Sequence, residues 1–177
     1  MLITEAYREQ QKALHAKGNY GVASAAYAPK VGALIEKFEA NTVLDYGAGS
    51  KLTLIRTISE QRLAKRKFTY IPYEPAVEQY SKPPEPADLV VCLDVLEHIE
   101  PDCLDDVLDD LKRVTAKAGF FTIATGPAAK ILPDGRNAHL IQEPAQWWLP
   151  RLTDRFTLQS FQNGHDCFVV LVSPLEP

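Results

Sequence analysis

No apolar run in the sequence approaches the roughly 20 residues that span a bilayer, and no membrane partner is expected. The first residues, with Glu5, Arg8 and Glu9 among them, form no apolar signal core. Cysteine is scarce: Cys92, Cys103 and Cys167 are odd in number and lack the spacing of a metal site. Free thiols of this kind suit a reduced, cytoplasmic setting. Positive charge is also short. A net charge of −4 leaves no electrostatic footprint for bulk nucleic acid. Lys65-Arg66-Lys67 is the single dense basic cluster and reads as a solvated helix end. Neither an internal repeat nor a second domain is visible.

What is present is ordinary for a soluble fold. The chain has 177 residues, 46% hydrophobic and 24% charged, which suits one globular domain around one core. It reads as a single domain over residues 1–177, with a helical cover at 1–40 and an α/β core at 41–177. Its organising stretch is Thr42-Val43-Leu44-Asp45-Tyr46-Gly47-Ala48-Gly49-Ser50-Lys51. A short β-type run ends in an acidic residue, and two glycines follow at a tight turn before a helix. In an open α/β sheet the ligand lies beyond the carboxyl ends of the strands, so this turn is the expected floor of a binding site. A dinucleotide fingerprint would read G-x-G-x-x-G, but Leu52 stands at the third position. Asp45 would repel a pyrophosphate and suits a cationic group.

This stretch resembles the first motif of the class I S-adenosylmethionine-dependent methyltransferases, an acidic residue followed by G-x-G. Their cofactor carries an ammonium and a sulfonium. The resemblance implies that Asp45, Tyr46, Gly47, Gly49, Glu74 and Asp94 contact S-adenosylmethionine. It also makes Tyr20 a candidate cover for the cofactor, although a packed loop aromatic is the other reading. Lys51 replaces the third glycine often found in the family.

The rest of the chain extends the likeness. Residues 4–17 read as a polar helix opened by Thr4, and Val31, Leu34, Ile35 and Phe38 mark one buried face of a second helix. Phe68–Tyr73 reads as a strand with Glu74 at its end. Glu74 follows Gly49 by 25 positions, near the spacing at which an acidic residue meets a ribose. Between Pro75 and Asp88, Pro83, Pro84 and Pro86 oppose both helix and strand, so the family's third strand is expected to be reduced or absent. Leu89–Leu93 is a continuous apolar run, the mark of a central parallel strand. Leu104, Val107, Leu108, Leu111 and Val114 then give a helix its buried stripe, which Gly119 is expected to end before a strand at Phe120–Thr125. Residues 126–138 form a long loop, and Lys130 and Arg136 within it would suit an anionic acceptor. Trp147 and Trp148 read as core or interface anchors. The chain closes with two strands around Gln162-Asn163-Gly164, a hairpin signal. A mostly parallel sheet with a C-terminal antiparallel hairpin is the Rossmann-like methyltransferase ending.

The chemistry expected is methyl transfer to a small-molecule acceptor, with His98 and His139 as base candidates because imidazole titrates near neutral pH. A structural role for His98 is the alternative. If Asp94–His98 were helical, Asp94, Glu97 and His98 would share one face, and with His139 they could hold Mg²⁺. That pattern is similar to the E-x-x-E-H of metal-assisted O-methyltransferases, with Asp94 in place of the first Glu. Two other functions are open at this stage: a methyltransferase-like scaffold without turnover, and a nucleotide-binding Rossmann-like domain. Oligomeric state is open as well.

Overall fold

The computed structural model describes residues 1–16 and 23–175; Tyr20 lies outside them. Six strands form one sheet: β1 Thr42–Tyr46, β2 Thr69–Tyr73, β3 Ala87–Leu93, β4 Thr115–Ala124, β5 Phe156–Asn163 and β6 Cys167–Pro174. Their spatial order is β2-β1-β3-β4-β6-β5. The first four run parallel, and β6 is antiparallel to both β4 and β5. Five α-helices accompany them in the described residues: α1 Glu5–Ala16, α2 Ala28–Lys37, α3 Thr53–Glu60, α4 Leu104–Val114 and α5 Ala145–Thr153.

The apolar run of β3 is buried on both faces, as its composition requires. Val90 and Cys92 join Leu44, Phe121, Ile123 and the stripes of α4 and α5 in one cluster. Leu89, Val91 and Leu93 join Val43, Phe120 and the apolar sides of α2 and α3 in the other. Pro29 sits in the first turn of α2, where its missing N–H costs nothing. Trp148 is fully buried and donates its indole N–H to the Glu143 carbonyl, whereas Trp147 lies under the Arg151 guanidinium. Both tryptophans act as packing anchors.

Between β2 and β3 the chain makes only a single 3₁₀ turn, Glu78–Tyr80. The third strand is therefore absent, and β2 is the edge of the sheet. The proline-rich interval has the consequence expected of it.

Gly119 corrects the reading of the next element. The glycine does not end a helix; it lies inside β4, which starts at Thr115 directly after α4. A Cβ at Gly119 would stand 2.6 Å from Cζ of Phe121 and 2.8 Å from Cγ2 of Val172. The position is kept small by packing across the sheet, which local spacing does not reveal. Gly119→Ala should destabilise the protein by about 1–3 kcal/mol through overpacking. A urea titration showing wild-type stability would contradict this account.

Candidate active site

The carboxyl ends of β1, β2, β3 and β4 open into one cavity of about 560 Å³, a volume suited to a small ligand. Each strand contributes at its carboxyl end: Gly47 and Gly49 after β1, Glu74 after β2, Asp94, Val95, Glu97 and His98 after β3, and Ala124 at the end of β4 with residues of the 126–138 loop. Helix α1 covers the opening with Tyr7, Gln11 and His15.

The β1 turn is built for close approach. Gly47 has φ +87°, a left-handed conformation that costs glycine little. A Cβ there would lie 2.3 Å from Cγ2 of Val95, so the turn after β1 and the turn after β3 close on each other only through glycine. Gly49 also has positive φ, at +63°, and its N–H donates to Oε2 of Glu74 at 3.3 Å. The other Glu74 oxygen accepts from the Ala76 N–H at 3.2 Å. Burial pushes the Glu74 carboxyl above its ordinary value. A buried carboxylate at a strand end, with lone pairs beyond its two backbone partners, suits the paired hydroxyls of a ribose.

Tyr46, Gly47, Gly49, Glu74 and Asp94 all line the cavity. Asp45 does not. In a strand successive side chains alternate, and Asp45 shares the face of Val43 toward α2 and α3, while Leu44 and Tyr46 take the other. Its carboxylate is 2% exposed and accepts from the Tyr70 hydroxyl. Burial pushes it up to about 7. The electrostatic attraction expected of Asp45 for a cofactor cation is thus weakened by its place in the core. Tyr46 faces the cavity but spends its hydroxyl on Asp110, at 2.9 Å.

The segment 94–98 does not meet the condition on which the metal option depended. Asp94 has φ +54°, and only Leu96–His98 is helical, as a 3₁₀ turn. The single-face arrangement required by a regular α-helix therefore does not form. Asp94 turns to β4, where its Oδ1 accepts from the Thr122 hydroxyl at 2.7 Å. Glu97, His98 and His139 instead converge: one ligand atom from each lies within 4.8 Å of the others. Asp94 stands outside this group, so the four-ligand metal set is not assembled.

The convergence is fixed by backbone. Nδ1 of His98 lies 2.7 Å from the Ala138 carbonyl, and Nδ1 of His139 lies 2.6 Å from the Gly126 carbonyl. A carbonyl only accepts, so each Nδ1 carries a proton and donates it. The rings meet edge to face with centroids 4.7 Å apart. Burial, with His139 beside it, pulls His98 down to about 4, which keeps that ring neutral. Glu97 is fully buried; its Oε1 accepts from the Ala124 N–H at 2.9 Å, and its Oε2 has no partner among the described residues. Burial pushes this carboxyl up to about 8.

Helix α1 brings residues that no motif announced. Thr4 caps it, accepting from the Tyr7 N–H, and also binds Glu100 through both its N–H and its hydroxyl. The Tyr7 hydroxyl donates to the His98 carbonyl at 2.7 Å. Nε2 of His15 stands 3.7 Å from Oε2 of Glu74. The i, i+4, i+8 spacing of Tyr7, Gln11 and His15 along one helical face was the available signal. Arg136 does not line the cavity. Its guanidinium is bound to Asp134, so of the two loop cations only Lys130 reaches the wall.

A parallel α/β sheet closed by an antiparallel hairpin, with its cavity at the strands' carboxyl ends, defines the Rossmann-like methyltransferase architecture. Residues 22–168 match the methyltransferase-domain family, and the chain belongs to it, among the class I S-adenosylmethionine-dependent methyltransferases. No curated protein matches the chain in sequence. Among solved structures it is similar to a Burkholderia thailandensis 1,6-didemethyltoxoflavin-N1-methyltransferase with bound 1,6-didemethyltoxoflavin and S-adenosylhomocysteine. That likeness has a TM-score of 0.64 at 16% identity, over 96% of this chain and 88% of the other. A S-adenosylmethionine-dependent methyltransferase from Aquifex aeolicus gives a TM-score of 0.58 at 17% identity, over 93% and 98% of the two chains. Human N-acetylserotonin methyltransferase in complex with S-adenosylmethionine gives 0.56 at 15% identity, over 97% of this chain and 56% of that one.

The buried acid at Asp45 gives the stability a pH dependence of known sign. Its folded-state value, about 7, lies above the ordinary 3.8, so the folded protein holds this proton more tightly than the unfolded chain. The associated stability is complete below about pH 4 and is lost as pH rises to about 7. Asp45→Asn removes the ionisation while keeping an acceptor for Tyr70. Relative to wild type, the variant should gain on the order of 4 kcal/mol between pH 4 and pH 8. Parallel denaturation curves at the two pH values would show whether the gap widens; a constant gap would remove Asp45 from this role.

Proposed function

We propose that this member transfers a methyl group from S-adenosylmethionine to a small-molecule acceptor held in the same cavity. The observation that carries the reading is the buried Glu74 carboxylate facing the Gly47–Gly49 turn across one cavity. Glu74 would hold the ribose hydroxyls, and the glycine turn leaves space where side chains would obstruct the cofactor. Asp94, Tyr46 and the cover from α1 complete that half of the site. When bound, the cofactor supplies an activated methyl group on a sulfonium.

The residues of the chain then have three tasks: to bind, to exclude water and to accept a proton. Helix α1 performs the second, since Tyr7, Gln11 and His15 roof the cavity. For the third, His98 and His139 present rings whose Nδ1 atoms are tied to carbonyls, so Nε2 is the atom of each that would take the proton. A size limit on the acceptor follows from a cavity of about 560 Å³ shared with a nucleoside. A small molecule fits that space better than a folded macromolecule does.

Calorimetry with S-adenosylhomocysteine and with NAD tests the cofactor reading. Binding of the first and not the second is expected; the reverse outcome would sink it. Glu74→Ala should weaken S-adenosylhomocysteine by roughly 1.5–3 kcal/mol, the scale of hydrogen bonds to a charged group. An unchanged dissociation constant would take Glu74 out of the ribose role. Once an acceptor is in hand, His98→Ala or His139→Ala should lower turnover by about 10²–10⁴-fold with S-adenosylhomocysteine affinity nearly unchanged. Loss of affinity without loss of turnover would reassign both rings.

A further inference from the structure

Gln11 is a buried amide that the fold itself does not satisfy. The residue is 7% exposed, lies in α1 between Tyr7 and His15, and lines the cavity; its Nε2 has no partner among the described residues. A buried amide donor without a partner costs free energy, and α1 buries only Tyr7 and Leu14 beside it. Hydroxyls of the same wall are committed within the protein: Tyr7 donates to the His98 carbonyl and Tyr46 to Asp110. The Gln11 amide is left at the cavity surface, where a ligand would complete it.

Its place along α1 selects the part of the ligand. Helix α1 is fastened on the α4 side of the sheet, because Thr4 binds Glu100 just before α4 and the N-terminal ammonium binds Asp106 within it. Tyr46, Val95 and Val107 pack in the layer of α4 and give the cavity apolar walls there, and Pro75 adds to them directly after Glu74. One turn beyond Gln11, Nε2 of His15 stands 3.7 Å from Oε2 of Glu74. A turn of helix rises about 5.4 Å, so Gln11 is set back from the ribose acid by a distance comparable with the width of a purine.

Resting on the proposed methyltransferase function, we infer that Gln11 reads the adenine of the cofactor, pairing its amide with the 6-amino group and the adjacent ring nitrogen. A primary amide carries a donor and an acceptor side by side in one plane, and adenine presents the complementary pair. The amide oxygen accepts from the amino group while the amide nitrogen donates to the ring nitrogen. An ionised carboxylate could accept from the amino group but would repel the lone pair beside it. The base lies against the apolar walls, and α1 supplies the polar contact that those walls lack.

The test compares S-adenosylhomocysteine with its analogue in which hydrogen replaces the 6-amino group, by calorimetry on the full chain. Wild type should bind S-adenosylhomocysteine about tenfold or more tightly than the analogue. Gln11→Leu keeps the side-chain size and helix propensity; it should weaken S-adenosylhomocysteine by a similar factor and bind the two compounds about equally. Without ligand, the variant should melt at or above the wild-type temperature, since an unsatisfied buried amide has been removed. Equal binding of the two compounds by wild type overturns the inference. So does a tenfold preference that persists in Gln11→Leu; a lowered ligand-free melting temperature alongside it would assign Gln11 to holding α1 in place. If wild type binds no S-adenosylhomocysteine at all, the proposed cofactor falls together with the inference. Tight binding with a preference unmoved by Gln11→Leu removes the role of Gln11 alone.

Discussion

The turn at Gly47 is the constraint on which the rest of the site depends. Strand β1 and strand β3 are hydrogen-bonded neighbours, yet the chain leaves them toward different layers, β1 toward α3 and β3 toward α4. The crevice between the two departures is where an open sheet accepts a ligand. Here it can exist only because Gly47 lacks a Cβ and Val95 fills the space from the other side. With the turns locked together, Gly49 reaches Glu74 across the end of β2, and Asp94 is set against Thr122 of β4. Four strand ends are thereby fixed relative to one another, and backbone bonds from Gly47 and Ala48 to the Tyr73 carbonyl and from Asp94 to the Thr122 carbonyl add to these side-chain contacts.

How much of this could be read from the chain depends on the range of the physics involved. Glycine turns, the apolar run of β3, the proline-rich gap and the Asn-Gly hairpin each state their structure within a few residues. Gly119 was misread because the reason for it is the Phe121 ring and Val172, the latter on a strand 48 or more residues further on. Whether Asp94–His98 is helical was left as a condition, for a related cause. Its residues permit a helix, but the hydrogen bonds to Thr122 hold Asp94 in a left-handed conformation. Asp45 shows a third limit. The motif names the residue, while the alternation along β1 decides whether its carboxylate meets the cavity or the core.

Charge in the site follows the same logic of distance and burial. The acids on the cavity wall look interchangeable in the sequence, but their partners separate them. Glu100 holds the N-terminus of α1 through Thr4, and Asp94 belongs to the β3–β4 connection. Glu74 answers to two backbone N–H groups through both its oxygens, whereas Glu97 keeps Oε2 without a partner among the described residues. Burial raises both Glu74 and Glu97, so each carries its charge only in the company of something that rewards it. A site of this kind is electrostatically incomplete by itself and becomes complete with its ligands.

Helix α1 ties the two halves together. Its first turn is fastened to Glu100 and, through the Tyr7 hydroxyl, to the carbonyl of His98; its last turn places His15 near Glu74. Midway, Gln10 binds Asp134 in the long loop, and Leu14 and Tyr7 pack against Leu132 and Ala138. One rigid element therefore touches the acid expected to read a nucleoside, the segment that carries Glu97 and His98, and the loop that delivers His139. A helix with so little apolar surface could not fold alone. Its order derives from the walls it joins, and opening it would expose both ends of the cavity to water together. That coupling makes the cover part of the site, because the low dielectric that strengthens every charge contact in the cavity lasts only while α1 is in place.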